Sequence, residues 1–275
     1  MILSQLPEIH RYRLAEGRLR RNFNARLPWR LEEVLNSPGR HLTLTYSSPL
    51  LLPGGASQND SFVNVGPTIG ASADWGDFPA EKLTSRPLIY ASLGTLTNRN
   101  SRFYENCLKA FAGDDYQLVL SLGTKNGSEL FSRERPGVIV REFVPQLKVL
   151  QQAAVFISHA GMNSAHESLY YGVPLVMAPQ QVEQQVVASQ VVQAGAGICL
   201  SATPSAENLR AAVAQVLNDP AYVANAAQVR DSLRDTGGAG RAAEAIERLI
   251  ERESLAASAS VRRIANSRSR AVNSP

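Results

Sequence analysis

From Pro87 onward, short apolar runs alternate with longer stretches in which apolar residues recur at helical spacing. The runs are too short for helices and end at Gly, Pro or polar residues, which is typical of strands buried on both faces. Strands are predicted at PLIYASLG, QLVLSLG, VIVREF, AAVFISH, PLVMAP and AGICL. Helices are predicted over 99–112, 184–194, 205–217, 221–234 and 238–252. This alternation predicts an α/β fold built on a doubly wound, Rossmann-like parallel sheet.

The AAVFIS run ends at His159 and gives way to small and polar residues. The stretch from Ser164 to Glu167 has the S-x-x-E pattern that opens many helices. A strand that leads through a glycine turn into a helix leaves unpaired N–H groups and the positive end of the helix dipole at the carboxyl edge of the sheet. Because Gly161 has no side chain, a phosphate can approach this backbone closely. We therefore predict an anion site at this turn.

A second set of polar residues follows the next predicted strand. The run VPLVMAP leads into Gln180, Gln181, Val182, Glu183 and Gln184. The carboxylate and amide groups of this set suit hydroxyls rather than phosphates. This edge of the sheet therefore offers hydroxyl-binding groups as well as an anion site.

Together these residues resemble the donor signature of UDP-glycosyltransferases, above all that of bacterial macrolide-type members. The matching elements stand in the family's order: Phe143-Val144-Pro145-Gln146, His159-Ala160-Gly161-Met162-Asn163-Ser164 with Glu167, Gly172-Val173-Pro174, Pro179 and Glu183-Gln184. The likeness extends over roughly residues 40 to 250. It implies the GT-B arrangement of two Rossmann-like domains, with this chain carrying the carboxyl-terminal, donor-binding domain and a remnant of the amino-terminal one.

The resemblance implies a role for each of the donor-binding residues. Base and ribose would be bound by Phe143, Val144, Gln146 and Glu167, with Phe143 stacked on the uracil. The diphosphate would be bound by His159, Gly161, Asn163 and Ser164, and by a second phosphate-facing turn at Ser92, Gly94 and Thr95. The sugar hydroxyls would be bound by Glu183 and Gln184. A UDP-sugar is then the co-substrate, and no metal or other cofactor is expected.

Each of these side chains also has an ordinary structural explanation. Glu167 could close a capping box with Ser164, and Phe143 could be a core residue. A histidine at a strand end is often structural, and Gln184 could be a surface amide at the start of a helix. His166 has no role in the family pattern and is expected to pack in the core or to be solvated.

Composition narrows the class of protein. The chain has 275 residues, 44% of them hydrophobic, and a formal net charge of +4. Residues 1–40 carry +4 and residues 251–275 carry +3, which leaves −3 for residues 41–250. The body of the chain therefore has no basic surface typical of nucleic-acid binding. Two cysteines without metal-site spacing and the lack of an 18-residue apolar span predict a cytoplasmic protein without disulfides, zinc or a membrane span.

Four segments are predicted along the chain. Residues 1–48 would be the remnant of the amino-terminal acceptor domain, including Arg-rich helices over 8–36 and a strand over 42–46. The Pro- and Gly-rich stretch 49–86, with the turn Val65-Gly66-Pro67, would be the interdomain linker. Residues 87–252 would form the donor-binding domain, and the Ser-, Ala- and Arg-rich residues 253–275 a disordered basic tail.

The resemblance implies an inverting hexosyltransferase that uses a nucleotide-diphosphate sugar, UDP-glucose in the first place, and a hydroxyl of a small lipophilic or polyketide-like acceptor. None of the four histidines stands in the family's catalytic-base position, so the base is expected from the missing amino-terminal domain and the chain is expected to be inactive alone. A separately encoded amino-terminal half or a second copy would then be a partner.

Two alternatives from other classes stay open. The chain could be a non-catalytic nucleotide-sugar-binding subunit of a split, two-chain glycosyltransferase. It could also be a nucleotide-sugar epimerase, which needs acids and bases around the hexose, where Glu183 is the one candidate. A nicotinamide dehydrogenase is disfavoured, because Gly195 and Gly197 precede a predicted strand rather than a helix.

Overall fold

The computed structural model describes residues 42–52, 62–70, 76, 78–95, 100–113, 115–123 and 135–272, with side chains of the last helix described up to residue 255. The strands are β1 (Thr43–Thr45), β2 (Phe62–Asn64), β3 (Leu88–Ser92), β4 (Gln117–Ser121), β5 (Val138–Arg141), β6 (Ala153–Ser158), β7 (Leu175–Met177) and β8 (Gly197–Cys199). The helices are α1 (Ser101–Phe111), α2 (Gln146–Leu150), α3 (Met162–Tyr170), α4 (Val182–Gln193), α5 (Ala206–Asn218), α6 (Pro220–Arg234) and α7 (Gly238–Val272). The six strands and five helices predicted from residue 87 onward are confirmed, apart from their exact ends.

The large sheet has six parallel strands in the order β5-β4-β3-β6-β7-β8. The chain runs outward from β3 through β4 to β5, returns to β6 beside β3, and then continues outward on the other side. The doubly wound prediction is thus confirmed, and the strand order reverses between β3 and β6. Ser92 at the end of β3 pairs in register with Ser158 at the end of β6. Ligands of such sheets bind beyond the carboxyl ends of the strands at this reversal.

Both faces of the sheet are buried. Along β3, Ile89 lies in the core on one face and Tyr90 in the core on the other. Tyr90 stacks on Phe156 of β6, with ring centroids 4.6 Å apart and planes within 6° of parallel. Because successive side chains of a strand alternate between faces, a sheet covered on both sides needs apolar residues at every position. This requirement explains the continuous apolar runs.

The segment before the large sheet packs against the helices of the large-sheet domain. β1 and β2 pair in parallel, and the predicted turn at Gly66 is present with φ of 70°. The hydroxyls of Ser48 and Ser232 are 2.8 Å apart, and the N–H of Gly238 donates to Val65 at 2.7 Å. The linker thus lies on α6 and the start of α7. Residues 1–41, which include the predicted helices over 8–36, lie outside the described residues.

The disordered tail predicted from residue 253 is corrected by the structure, in which α7 continues to Val272. The low hydrophobicity of this stretch suggested disorder. Its Ala, Arg, Glu and Leu content is also that of a strong helix former, and no Gly or Pro interrupts it before Val272. In the part of the chain that the structure describes, no helix combines the length and apolar character that a membrane crossing requires.

Candidate functional site

A cleft of about 740 Å³ lies beyond the carboxyl ends of β3 and β6. All of the predicted donor-binding residues line it: Ser92, Gly94, Thr95, Phe143, Val144, Gln146, His159, Gly161, Asn163, Ser164, Glu167, Glu183 and Gln184. The fold therefore brings together four separate stretches of sequence at one place, 92–95, 143–146, 159–167 and 183–184. The ligand contacts assigned to these residues stay predictions.

The cleft has five further lining residues that the sequence analysis did not single out, Tyr90, Ser121, Gly123, Leu147 and Val187. Ser121 and Gly123 repeat the Ser-Leu-Gly pattern of Ser92 and Gly94 one strand away, and Ser92 pairs in register with Ser121. This repeated pattern is the sequence signal that could have identified Ser121 and Gly123 as cleft residues. Tyr90 precedes Ser92 by two positions in the same strand, so period-two alternation places both side chains on the same face.

Helix α3 begins at the cleft with Gly161 as its N-cap and Met162 as its first helical residue. No side chain caps it, so the alternative explanation of Glu167 as the partner of Ser164 in a capping box is wrong. The helix starts three residues earlier than that pattern suggested, directly after the turn from β6. Its first N–H groups have no acceptor within the helix and lie at the positive end of its dipole. The predicted anion site thus has the geometry it needs.

The turn into α3 contains a strained residue. Ala160 has φ of 63°, in the left-handed region, and is completely buried. That conformation costs a residue other than glycine about 1–2 kcal/mol. The hydroxyl of Ser158 accepts a hydrogen bond from the N–H of Ala160 at 3.2 Å and helps to hold it. Such strain is maintained where a precise backbone path is needed, and here it joins His159 to the start of α3.

His159 is enclosed by two glycines. A Cβ atom built on Gly161 would lie 2.4 Å from Nε2 of His159, and one built on Gly94 would lie 2.8 Å from its Cε1. Both positions must lack a side chain for the imidazole to occupy its place. Gly94 also has φ of 74°, which independently favours glycine.

The imidazole of His159 is suited to binding a ligand as a neutral donor. Burial lowers its pKa, although the backbone of Ser92 and the negative charge of Glu183 oppose that effect. Among the described residues, its buried Nδ1 has no hydrogen-bond partner. A buried nitrogen left unpaired costs about 1–3 kcal/mol, which a bound ligand can recover.

Glu167 is held at the cleft by other side chains. Its Oε2 accepts a short hydrogen bond from Nε2 of Gln146, whose Oε1 accepts from the hydroxyl of Tyr90 at 2.8 Å. Burial raises the pKa of Glu167, and the bond from Gln146 works against that rise. Gln146 was predicted to contact the base or ribose itself, whereas both of its polar atoms already bond to protein.

Phe143 and Gln184 illustrate how structure separates the competing explanations. Phe143 is 58% exposed on the cleft, so its explanation as a core residue is wrong. Gln184 is buried, and its Oε1 accepts from the N–H groups of Gln180 at 2.8 Å and Gln181 at 3.2 Å. Its carbonyl oxygen therefore caps α4, and its explanation as a surface amide is also wrong. Glu183, next to it, is exposed at the cleft.

His166 lies outside the cleft and is buried, as packing would require. Its Nε2 is 2.9 Å from the hydroxyl of Ser47. This contact ties α3 to Ser47, which lies in the segment before the large sheet.

Comparisons with known proteins agree with this architecture. Residues 105–252 match the family model described as erythromycin biosynthesis protein CIII-like, C-terminal domain. The chain is 32% identical over 219 residues to an uncharacterized UDP-glucosyltransferase, YojK, of Bacillus subtilis, covering 79% of this chain and 54% of that protein. It is 31% identical over 166 residues to demethyllactenocin mycarosyltransferase of Streptomyces fradiae, covering 60% and 36%.

A solved structure also matches, that of the glycotransferase of kitacinnamycin. The TM-score is 0.72 at 32% identity, and the match covers 90% of this chain and 65% of that one. The chain spans about half the length of YojK and about a third of that of the mycarosyltransferase. The chain therefore belongs to the erythromycin biosynthesis protein CIII-like C-terminal family and corresponds to the carboxyl-terminal half of a GT-B glycosyltransferase.

Proposed function

We propose that this chain forms the donor-binding half of an inverting glycosyltransferase that moves a hexose from a nucleotide diphosphate, UDP-glucose in the first place, to a hydroxyl of an acceptor. The observation that carries the proposal is the arrangement at the strand reversal. His159 is fitted between two obligatory glycines beside the uncapped start of α3, and Glu167 is fixed one turn further along that helix. In a nucleotide the diphosphate is linked to the ribose, so the phosphates would lie at His159 and the start of α3 and the ribose hydroxyls at Glu167.

The chemistry of the site supports departure of a charged leaving group. When the bond from the sugar to the diphosphate breaks, negative charge grows on the phosphate oxygens. The N–H groups at the start of α3 and the imidazole of His159 are already oriented to stabilise that charge, so little reorganisation is needed. Because burial lowers the pKa of His159, the ring acts as a neutral donor rather than as a second positive charge.

The proposal assigns the catalytic base to an amino-terminal half. His159 is the one histidine among the described residues that line the cleft. Its place at the diphosphate site makes it unsuitable for removing a proton from an acceptor on the far side of the sugar. The names of the relatives, with a macrolide-type mycarosyltransferase among them, support a small lipophilic or polyketide-like acceptor.

The epimerase alternative has less support. An epimerase needs acid and base groups around the hexose, and Glu183 is the exposed carboxylate at that end of the cleft. Glu167 is held through one oxygen by Gln146 and is assigned here to the ribose rather than to the hexose. A non-catalytic binding subunit of a split glycosyltransferase would have the same donor site. It would differ from the proposed enzyme half only in that it takes no part in sugar transfer.

Calorimetry with the full chain tests the proposal. UDP and UDP-glucose are expected to bind, and His159→Ala is expected to weaken both while leaving uridine nearly unaffected. Glu207→Gln is the matched control, since it removes an exposed carboxylate that does not line the cleft. No binding of UDP or TDP forms by the folded chain would overturn the donor-site proposal. Release of UDP from UDP-glucose in the presence of acceptors by the chain alone would overturn the assignment of the base to another half.

A further inference from the structure

A chain of hydrogen bonds crosses three elements at the cleft. The hydroxyl of Tyr90 in β3 is 2.8 Å from Oε1 of Gln146 in α2, and Nε2 of Gln146 bonds to Oε2 of Glu167 in α3. These elements are far apart in sequence and meet at the strand reversal. The three side chains all line the cleft.

The direction of each hydrogen bond follows from chemistry. An ionised carboxylate only accepts, so the amide of Gln146 must turn its NH₂ group toward Glu167. Its carbonyl oxygen then faces Tyr90, and the tyrosine hydroxyl must be the donor. Burial raises the pKa of Tyr90, so the hydroxyl keeps its proton at any physiological pH. The carboxylate of Glu167 therefore sets the direction of both hydrogen bonds, and the buried hydroxyl of Tyr90 holds the carbonyl of Gln146 in that orientation.

The consequence for Glu167 is that one of its oxygens is already bound. Oε2 takes the hydrogen bond from Gln146, whereas Oε1 has no hydrogen-bond partner among the described residues. A carboxylate fixed through one oxygen presents the lone pairs of the other in a defined direction. A ligand hydroxyl that donates to Oε1 then avoids much of the entropy cost of ordering this side chain.

We propose that Tyr90 is a positioning residue, which sets the Glu167 carboxylate through Gln146 so that the site favours a nucleotide with free ribose hydroxyls. This inference rests on the proposed function. Tyr90 itself has 1% exposure, and its ring is fixed by the stack on Phe156. Its ring therefore packs in the core, while its hydroxyl bonds to Gln146 at the cleft.

Tyr90→Phe separates these two roles, because it keeps the ring and removes the hydroxyl. The measurement is calorimetric affinity of the full chain for UDP and for 2′,3′-dideoxyuridine diphosphate, which keeps base and diphosphate but lacks both ribose hydroxyls. Wild type is expected to prefer UDP. Tyr90→Phe is expected to weaken UDP by about 2- to 12-fold, the weight of one net hydrogen bond, and the dideoxy compound by less than about twofold.

Tyr104→Phe is the matched control. Tyr104 is equally buried, and its hydroxyl bonds to the backbone of Leu93 and Ser121 at 3.3 Å each, beside the same strand ends. It does not touch Gln146 in the hydrogen-bond chain. This control is expected to leave the ratio of the two affinities unchanged, even where it lowers the melting temperature.

A double-mutant cycle adds a readout that a purely structural role would not move. On a Glu167→Gln background, Tyr90→Phe is expected to cause no further loss of UDP affinity. If Tyr90→Phe does not fold, Gln146→Met breaks the same chain at its next link and is expected to give the same loss of preference. An unchanged affinity ratio in the folded Tyr90 variant, with wild type still preferring UDP, would overturn the inference alone. Failure of wild type to bind UDP would instead overturn the proposed function.

Discussion

Replacing Gly161 with alanine is expected to weaken UDP binding by displacing His159. The backbone of Gly161 has φ of −61° and ψ of 139°, which alanine adopts without strain. The new Cβ would lie 2.4 Å from Nε2 of His159, and ordinary contacts begin near 3.4 Å. The imidazole must therefore move by about 1 Å, the shortfall from normal van der Waals separation. Gly94 borders the same Cε1–Nε2 edge of the ring and limits where it can go.

A displacement of this size breaks a hydrogen bond from His159 to the diphosphate. Hydrogen bonds to charged groups contribute about 1.5–3 kcal/mol, so UDP affinity is expected to fall by about 10- to 150-fold. Uridine, which has no diphosphate, is expected to bind nearly as before. Calorimetry with both ligands gives the two numbers, and a melting curve shows whether the variant is folded.

The same substitution on a His159→Ala background isolates the cause. With the imidazole gone, the clash is gone, and Gly161→Ala is expected to cost less than about 0.5 kcal/mol of UDP binding. Equal losses on both backgrounds would refute the reasoning, since Gly161 would then act by letting the phosphate approach the backbone. Equal losses for UDP and uridine would also refute it, because the whole cleft would have changed.

Three other substitutions test separate parts of the structure. Phe143→Ala is expected to weaken UDP and uridine equally, by about 1–3 kcal/mol, because a stacked base is lost; calorimetry showing a loss for UDP alone would place the ring elsewhere on the donor. Burial lowers the pKa of His166 to about 4 from 6.5, so the unfolded chain takes up the proton first and stability falls as pH drops from 6.5 to about 4. The free energy of unfolding of wild type is expected to fall by about 3 kcal/mol over this pH range because of His166. Urea unfolding of wild type and His166→Gln at several pH values measures this fall, and an equal pH dependence of the two proteins would contradict the assignment to His166. Gly66→Ala is expected to lower the free energy of unfolding by at least about 1–2 kcal/mol, since φ is 70° and the added Cβ would lie 1.7 Å from Oγ1 of Thr236. Gly70→Ala, where a Cβ meets nothing within 4 Å, is the control in the same urea titration, and an equal effect of both would show that the Gly66 turn is not docked.

The sheet could be predicted from the sequence because its strands are buried on both faces. Such strands give continuous apolar runs, and the six found here all match a predicted one. Helix α2 was missed because Gln146–Leu150 is five residues long, less than two turns, and shows no period. The cleft depends on the pairing of β3 with β6. This pairing is set by the order of the strands across the sheet, and no single apolar run indicates that order.

The site was predictable as a set of residues and less so as a set of contacts. A local pattern suggested that Glu167 caps its own helix, whereas the fold brings Gln146 to it from another element. For Gln184, which the resemblance assigns to the sugar, no pattern in the sequence indicated that its carbonyl oxygen also caps α4. Hydrogen bonds between distant elements depend on tertiary geometry, and a single sequence carries no signal for them.

The docking of the linker has a practical consequence for dividing the chain. Ser48, Leu51 and Val65 are buried although they precede the large sheet. A polypeptide trimmed to start at Pro87, the boundary that the apolar runs suggest, would uncover the α3 and α6 surfaces on which they lie. It would also remove the acceptor of the Gly238 N–H and the Ser47 partner of His166. The shortest recombinant piece that keeps the donor domain intact therefore starts no later than Thr43.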